Sequence, residues 1–408
     1  MEIIHHKLNN NLPIYFVPLK DTQAVTVLIS AKVGSRYETD NQAGISHVLE
    51  HMFFKATKKI SSTLEMIREF DRIGGDHNGW TNEEVTAYYI QTSAENGIRA
   101  LDLLSQMLTE YNFNSTELEK EKNVIIQEMN RTKDDPESYI FDIYKSNCFG
   151  NHPIGRPIIG SEKSVKSITV KDLENYIENY YHPSNLMITV AGKIDEKEKY
   201  INKIKEYFNN LIDAQPCNAL PFTSFPVSGQ INVINKKTDQ AHLVVSYPCM
   251  AKNDKKKEQI FLMNTIFGGM HSARLFYEIR EKRGLAYTIR SYWDSYFDTG
   301  SIAIYSGNDF KKTPEVINLI VSEAQKMIKI SDEELNRAKN SIISNFVLDL
   351  EDGYNILKFI TEELIYEGKI TQPEKVIEDI KKVTKEQVER IAREVFSQPH
   401  KITIIGPK

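Results

Sequence analysis

The chain has few cysteines, no long apolar run and no excess of one charge, and each shortage closes off a class of function. Cys148, Cys217 and Cys249 are the only cysteines in 408 residues. Their number and wide spacing fit neither a disulfide framework nor a paired-thiol metal knuckle, so they read as small buried apolar side chains. No apolar stretch approaches the roughly 18 to 20 residues that span a bilayer. The opening MEIIHHKLNNNLPIYF lacks a basic segment followed by an apolar one. These shortages point to a soluble, cytoplasmic chain with no membrane partner. With 51 Lys and Arg against 56 Asp and Glu, the formal net charge is −5, which excludes a strongly basic nucleic-acid binder. Glycine and proline are sparse, at 19 and 14, and 40% of residues are hydrophobic, so the chain is neither collagenous nor disordered. A length of 408 residues can bury more than one core.

What the sequence does contain is a copy of itself. Residues 117–128 read ELEKEKNVIIQE and residues 334–345 read ELNRAKNSIISN, so Glu, Leu, Lys, Asn, Ile and Ile recur in register at an offset of 217. The stretch ITVKDLENYIENYYHPSNLMITVAGK, ending at Lys193, also resembles VTKEQVERIAREVFSQPHKITIIGPK, ending at Lys408, with one gap. Each copy reads as helix, turn and strand. Strand-like alternation opens both halves, in LPIYFVPLK and AVTVLISAKVG and again in QINVIN and AHLVVSYP. The order of strands, then helices, then a returning strand predicts an α+β fold. It would have two homologous halves, each a mostly antiparallel sheet covered by helices. The halves are placed at 1–212 and 230–408, joined by the Pro-containing connector 213–229, DAQPCNALPFTSFPVSG. Residues 1–210 carry 24 basic and 30 acidic groups, and the remainder 27 and 26. An imbalance of this size is that of a solvated surface.

The chemistry concentrates in GISHVLEHMFFKAT. His47 and His51 are four residues apart on an amphipathic helical pattern, which puts both imidazoles on one face within reach of one metal ion. Glu50 borders the same face, where its carboxylate could take a proton from metal-bound water. This is H-x-x-E-H, the reverse of HExxH. In a chain of this composition, chance supplies about 0.03 such patterns. The other reading is three polar residues on a solvated helix face, which the apolar residues around them disfavour.

A catalytic zinc needs a third protein ligand and one position open to water. Glu128, closing NVIIQE, is the candidate, with Glu121 two turns back on the same helix face, suited to hold a histidine ring or orient a ligand from outside. Taken alone, Glu128 fits an acidic helix surface equally well. The repeat separates the two readings, because Ala338 and Asn345 stand where the first half has Glu121 and Glu128, and the second half has no H-x-x-E-H.

At these residues the sequence resembles the pitrilysin-type inverted zinc peptidases (inverzincins), closest to the short-chain branch that includes the mitochondrial processing peptidase and its bacterial relatives. The resemblance runs through GSRYE, the 76 residues between His51 and Glu128, NGWTNEEVTAYY, HPIGRPIIGS, YYHPSNLMITVAG and SARLFYEIREKRGLAY. It implies a metalloendopeptidase with one zinc per chain, held by His47, His51 and Glu128, with Glu50 as general base and Glu121 supporting the ligands. It further implies that Asn78 and Gly79 present an edge strand to the substrate backbone. Asn78 could otherwise be a turn residue after Gly74 and Gly75. REKRGLAY matches the family's arginine and tyrosine, giving Arg280 and Tyr287 the role of holding substrate carbonyls and the oxyanion. His271 stands in GGMHSARL, a departure from the family's glycine-rich GGGMSSRL; an extra metal ligand is one reading of it. The expected substrates are oligopeptides or extended precursor segments cleaved inside an enclosed chamber. In short members the zinc half of one subunit faces the arginine–tyrosine half of another, so a homodimer with composite sites is expected. Weaker alternatives are membership of a heteromeric pair, a non-catalytic subunit, and a metal hydrolase of small molecules.

Overall fold

The computed structural model describes residues 1–215, 218–226 and 231–407. Two sheets organise them. The first contains β1 (Ile4–Lys7), β2 (Pro13–Pro18), β3 (Ala24–Ala31), β4 (Asp76–Thr81), β5 (Thr86–Ser93) and β6 (Leu186–Gly192), in the order β1-β2-β6-β3-β5-β4. The second contains β7 (Ile231–Asn235), β8 (Ala241–Cys249), β9 (Ala286–Ser295), β10 (Gly300–Asn308) and β11 (Lys401–Gly406), in the order β7-β11-β8-β10-β9. Only β2 with β6 and β7 with β11 run parallel. Both sheets are mostly antiparallel and the α+β expectation holds. Strand for strand, β2 to β6 correspond to β7 to β11, the copy that the 217-residue repeat announces.

Strands in both sheets are apolar on two faces. Along β3, Val25, Val27, Ile29 and Ala31 enter the main core, while Leu28 faces the other way into a smaller one. Along β10, Ile302 and Ile304 enter one core and Ala303 and Tyr305 the opposite one. Each sheet therefore needs cover on both sides, as alternation with a period of two dictates.

The smaller cover comes from an unexpected part of the chain. The helix Gly353–Glu362 places Ile356, Leu357 and Ile360 against Val17, Leu28, Ala87 and Ala191 of the first sheet. The helix Pro136–Phe149 places Ile140, Tyr144 and Cys148 against Val244, Ala303 and Tyr305 of the second. The repeat offset of 217 carries Pro136 onto Gly353, so these are equivalent helices, each used by the sheet of the other sequence half. The compact units accordingly differ from the chain-order halves. One comprises Met1–Met129, Arg156–Leu220 and Asp349–Ile370; the other Asn130–Gly155, Pro221–Leu348 and Thr371–Lys408. The changeover at Leu220 and Pro221 falls inside the 213–229 connector, of which residues 216, 217 and 227–229 lie outside the described residues.

Cys148 is buried and Cys249 half-buried, neither is in a disulfide, and burial pushes both thiols up to about 12. Cys217 lies outside the described residues. No helix among the described residues is long and apolar enough to cross a membrane.

Candidate metal centre

The helix Ile45–Phe53 buries Ile45, Val48, Leu49, Met52 and Phe53 in the main core, leaving His47, Glu50 and His51 on the remaining face. It starts on Gly44, whose φ of +95° suits a residue without a side chain; a Cβ there would also lie 2.6 Å from the carbonyl oxygen of Ile159. The first N–H groups of a helix have no partner within it. Here the buried carboxylate of Glu38 accepts from Gly44 N–H at 2.7 Å and Ser46 N–H at 2.9 Å. A negative charge at this end also opposes the helix dipole favourably.

The second contributor is the helix Ser115–Asp134, seated by Leu118, Ile125 and Met129. It brings Glu128 to the histidines, with 3.8 Å from His47 Nε2 to Oε1 and 3.7 Å from His51 Nε2 to Oε2. One ligand atom from each of the three lies within 4.8 Å of the others. Donors bound tetrahedrally at about 2.1 Å lie about 3.4 Å apart, so this set fits a zinc ion with little adjustment, and its two imidazoles and one carboxylate are donors zinc favours. Burial, then repulsion from His51, pushes His47 down to about 3. Its imidazole is therefore neutral and offers a lone pair, as a metal ligand must.

The other ring nitrogen of His51, Nδ1, lies 3.2 Å from Oε2 of Glu121, whose Oε1 is 2.6 Å from Lys55 Nζ. Burial alone would raise the Glu121 carboxyl, but the contacts with His51 and Lys55 outweigh it and hold the group low.

Glu50 faces β4. Its Oε2 accepts the Thr81 hydroxyl at 2.6 Å. Burial raises its carboxyl and Glu128 adds to the rise, against the opposing pull of Thr81 and His51. β4 is an edge strand, paired among the described residues only with β5, Asn78 opposite Tyr89 and Gly79 opposite Tyr88. Asn78 therefore lies within a strand, after a turn made by Gly74 and Gly75 at φ of +67° and +88°. Its Oδ1 accepts Gly79 N–H at 2.9 Å.

Arg280 and Tyr287 come together in the second unit, the guanidinium 5.4 Å from the tyrosine ring centre and 4.7 Å from that of Phe276. The Tyr287 side chain is exposed. His271 meets the Phe276 ring edge-on at 5.5 Å and joins no metal-competent cluster among the described residues. Three side chains of the metal helix's surroundings escaped sequence reasoning: Glu38, Lys55 and Thr81. All lie in or beside motifs quoted for the resemblance, but nothing in their spacing says what they touch.

Residues 16–162 match the family model for insulinase (peptidase family M16), and residues 167–342 match that for the peptidase M16 inactive domain. The chain is 33% identical over 405 residues to an uncharacterized zinc protease of Rickettsia felis, covering 98% of this chain and 97% of that one. It is 32% identical over 388 residues to the uncharacterized zinc protease YmxG of Bacillus subtilis, with 94% and 93% covered. In fold it resembles a protease from Helicobacter pylori, with a TM-score of 0.90 at 22% identity, covering 100% of this chain and 99% of that one. A Pseudomonas fluorescens protein described as a peptidase M16 inactive domain gives a TM-score of 0.89 at 18% identity, over 100% and 99% of the two chains. With relatives above 30% identity spanning nearly its whole length, the chain belongs to peptidase family M16, the insulinase family of zinc proteases.

Proposed function

We propose that this chain is a zinc-dependent endopeptidase that hydrolyses oligopeptides or extended precursor segments, with one zinc per chain held by His47, His51 and Glu128. The observation that carries the reading is the convergence of those three side chains on one point, with the Glu50 carboxylate on the same helix face. A zinc ion in that set would polarise the scissile carbonyl and lower the pKa of a bound water. Glu50 takes the proton of the attacking water and delivers it to the leaving amine. The exposed edge at Asn78 and Gly79 pairs with the backbone of an extended peptide, which gives binding with broad sequence tolerance. Arg280 holds a substrate carbonyl, and the Tyr287 hydroxyl donates to the oxyanion. No covalent intermediate on the protein is required.

The metal set and the arginine–tyrosine pair are carried by different units of the chain, and we place the working site in a homodimer whose composite sites line an enclosed chamber. Such a chamber would admit peptides and exclude folded proteins. A quenched-peptide assay on the native protein and on Glu50→Gln, each with and without chelator, tests the reaction. Cleavage should be lost with chelator and in the variant, and cleavage that survives both sinks the reading. Mixing inactive Glu50→Gln and Tyr287→Phe chains should restore activity if sites are shared, and no recovery removes the homodimer. Intact folded proteins cut as fast as peptides would remove the chamber.

A further inference from the structure

We propose that Thr81 is a positioning residue for Glu50, so that the edge strand offered to the substrate also holds the carboxylate that takes the water's proton. The inference rests on reading Glu50 as the base. A glutamate on a helix has three side-chain torsions to fix, and each ordered torsion costs entropy that a contact must offset. Around Glu50 the neighbours do not share that task equally. Glu128 is a like charge that repels the carboxylate, whereas the Thr81 hydroxyl donates to Oε2 at 2.6 Å. An ionised carboxylate accepts only, and a short O–H to O− bond is of the strong kind.

Gly79 completes the grip. Residues 79 and 81 share one face of β4, because side chains alternate along a strand. A Cβ at position 79 would lie 2.9 Å from Glu50 Cγ and 3.2 Å from its Oε1. The inward face of β4 is thus shaped around the Glu50 side chain, a bare Cα beneath its methylenes and a hydroxyl at its tip. The other edge of the same strand pairs with no strand among the described residues. A peptide that pairs with this edge acquires a register fixed relative to the Glu50 carboxylate, which is the geometric requirement for proton transfer.

The test compares Thr81→Val, which keeps the shape and removes the donor, with Thr81→Ser, which keeps the donor. Three readouts are taken: zinc affinity by chelator competition, kcat and KM on a quenched peptide, and the Glu50 rotamer in crystals. Thr81→Val should lower kcat by about tenfold with KM and zinc affinity within about twofold, and Thr81→Ser should stay within about twofold throughout. In crystals of Thr81→Val the Glu50 carboxylate should leave its place or split between conformers. A Glu50 side chain unmoved in Thr81→Val overturns the inference whatever the activity. So does an undiminished kcat in an active protein, or zinc loss that Thr81→Ser does not restore. A wild-type protein that cleaves no peptide instead removes the reading of Glu50 as base, while the crystals still decide whether Thr81 holds it.

Discussion

His51 and Glu121 meet through Nδ1 and Oε2 at 3.2 Å, on the side of the imidazole away from Glu128. With Glu121 ionised, the ring proton belongs on Nδ1 and the lone pair on Nε2, which points toward Glu128. Lys55, at 2.6 Å from the other carboxylate oxygen, keeps Glu121 ionised. Replacing Glu121 by Ala should therefore weaken zinc binding by about 10- to 100-fold, as removal of such supporting groups does. Lys55→Met should fall between that variant and wild type. Chelator competition measures both, and unchanged affinity in Glu121→Ala would show that His51 is oriented by packing alone.

Glu38 ties the start of the metal helix to a pH-dependent stability. Burial pushes its carboxyl up to about 7, against the N–H groups of Ser46 and Gly44 and the charge of Arg156, which pull it down. Tyr176, which meets Ser46 through its hydroxyl, also lies within electrostatic reach of it. The folded value lies above the 4.5 of an ordinary glutamate, so between the two values the native state binds more protons than the unfolded one. Stability from this group is then present at low pH and is lost as pH rises through that window. The unfolding free energy of wild type minus that of Glu38→Gln should fall between pH 4.5 and about 7 and level off above. Urea titrations across that range read the difference, in which other titrating groups cancel. A flat difference would mean that Glu38 ionises as it would in water.

The Arg36–Glu84 pair is a third case where position decides energy. Arg36 Nη1 lies 2.6 Å from Glu84 Oε1 with side chains only 2% and 5% exposed, and Nη2 also donates to the Leu220 carbonyl at 2.8 Å. Arg36→Met removes the cation beside the buried Glu84 carboxylate, which keeps its contact with Tyr366, a loss of about 3 to 5 kcal/mol. Adding Glu84→Gln to it should recover part of that loss, because the buried negative charge is gone. Denaturant midpoints of the three proteins check this, and a double variant no more stable than Arg36→Met would assign the cost to the lost Leu220 contact.

The sequence exposes interactions within one element far better than those between elements. His47, Glu50 and His51 sit within five residues of one helix, so spacing alone puts them on a face. Glu128 lies 77 residues after His51, and the contrast with Asn345 in the repeat does not set it apart from Glu121 of the same helix, which stands opposite Ala338. Glu38, Lys55 and Thr81 reach their partners through the folded backbone. Glu38 comes back on a helix start six residues later, and Thr81 comes to Glu50 across a sheet edge. No period in the sequence encodes either approach. The repeat likewise shows that two sheets exist, but an apolar helix face carries no mark of which sheet it will cover.

That last silence has a measurable consequence. The first-half sheet exposes Val17, Leu28, Ala87 and Ala191 on the face covered by Ile356, Leu357 and Ile360. Gly353 lies so close that a Cβ on it would be 2.8 Å from Thr26 Oγ1, and Gln91 Nε2 donates to Asp352 Oδ2 at 2.9 Å. Ile360→Ala, at a fully buried site, should cost about 2 to 5 kcal/mol in the unit that contains the metal set, although the residue lies in the second half of the sequence. A fragment of residues 1–212, complete by chain order, lacks that helix altogether. It should bind a hydrophobic dye and self-associate, because its strands then present an apolar face to water. A synthetic segment of residues 349–370 should reduce both effects when added in trans, the remainder coming from the helix Pro136–Phe149, whose own sheet the fragment lacks. If the fragment alone is monomeric and silent to the dye, the exchanged helix adds little to this unit, and the stability of the first sheet resides in its main core.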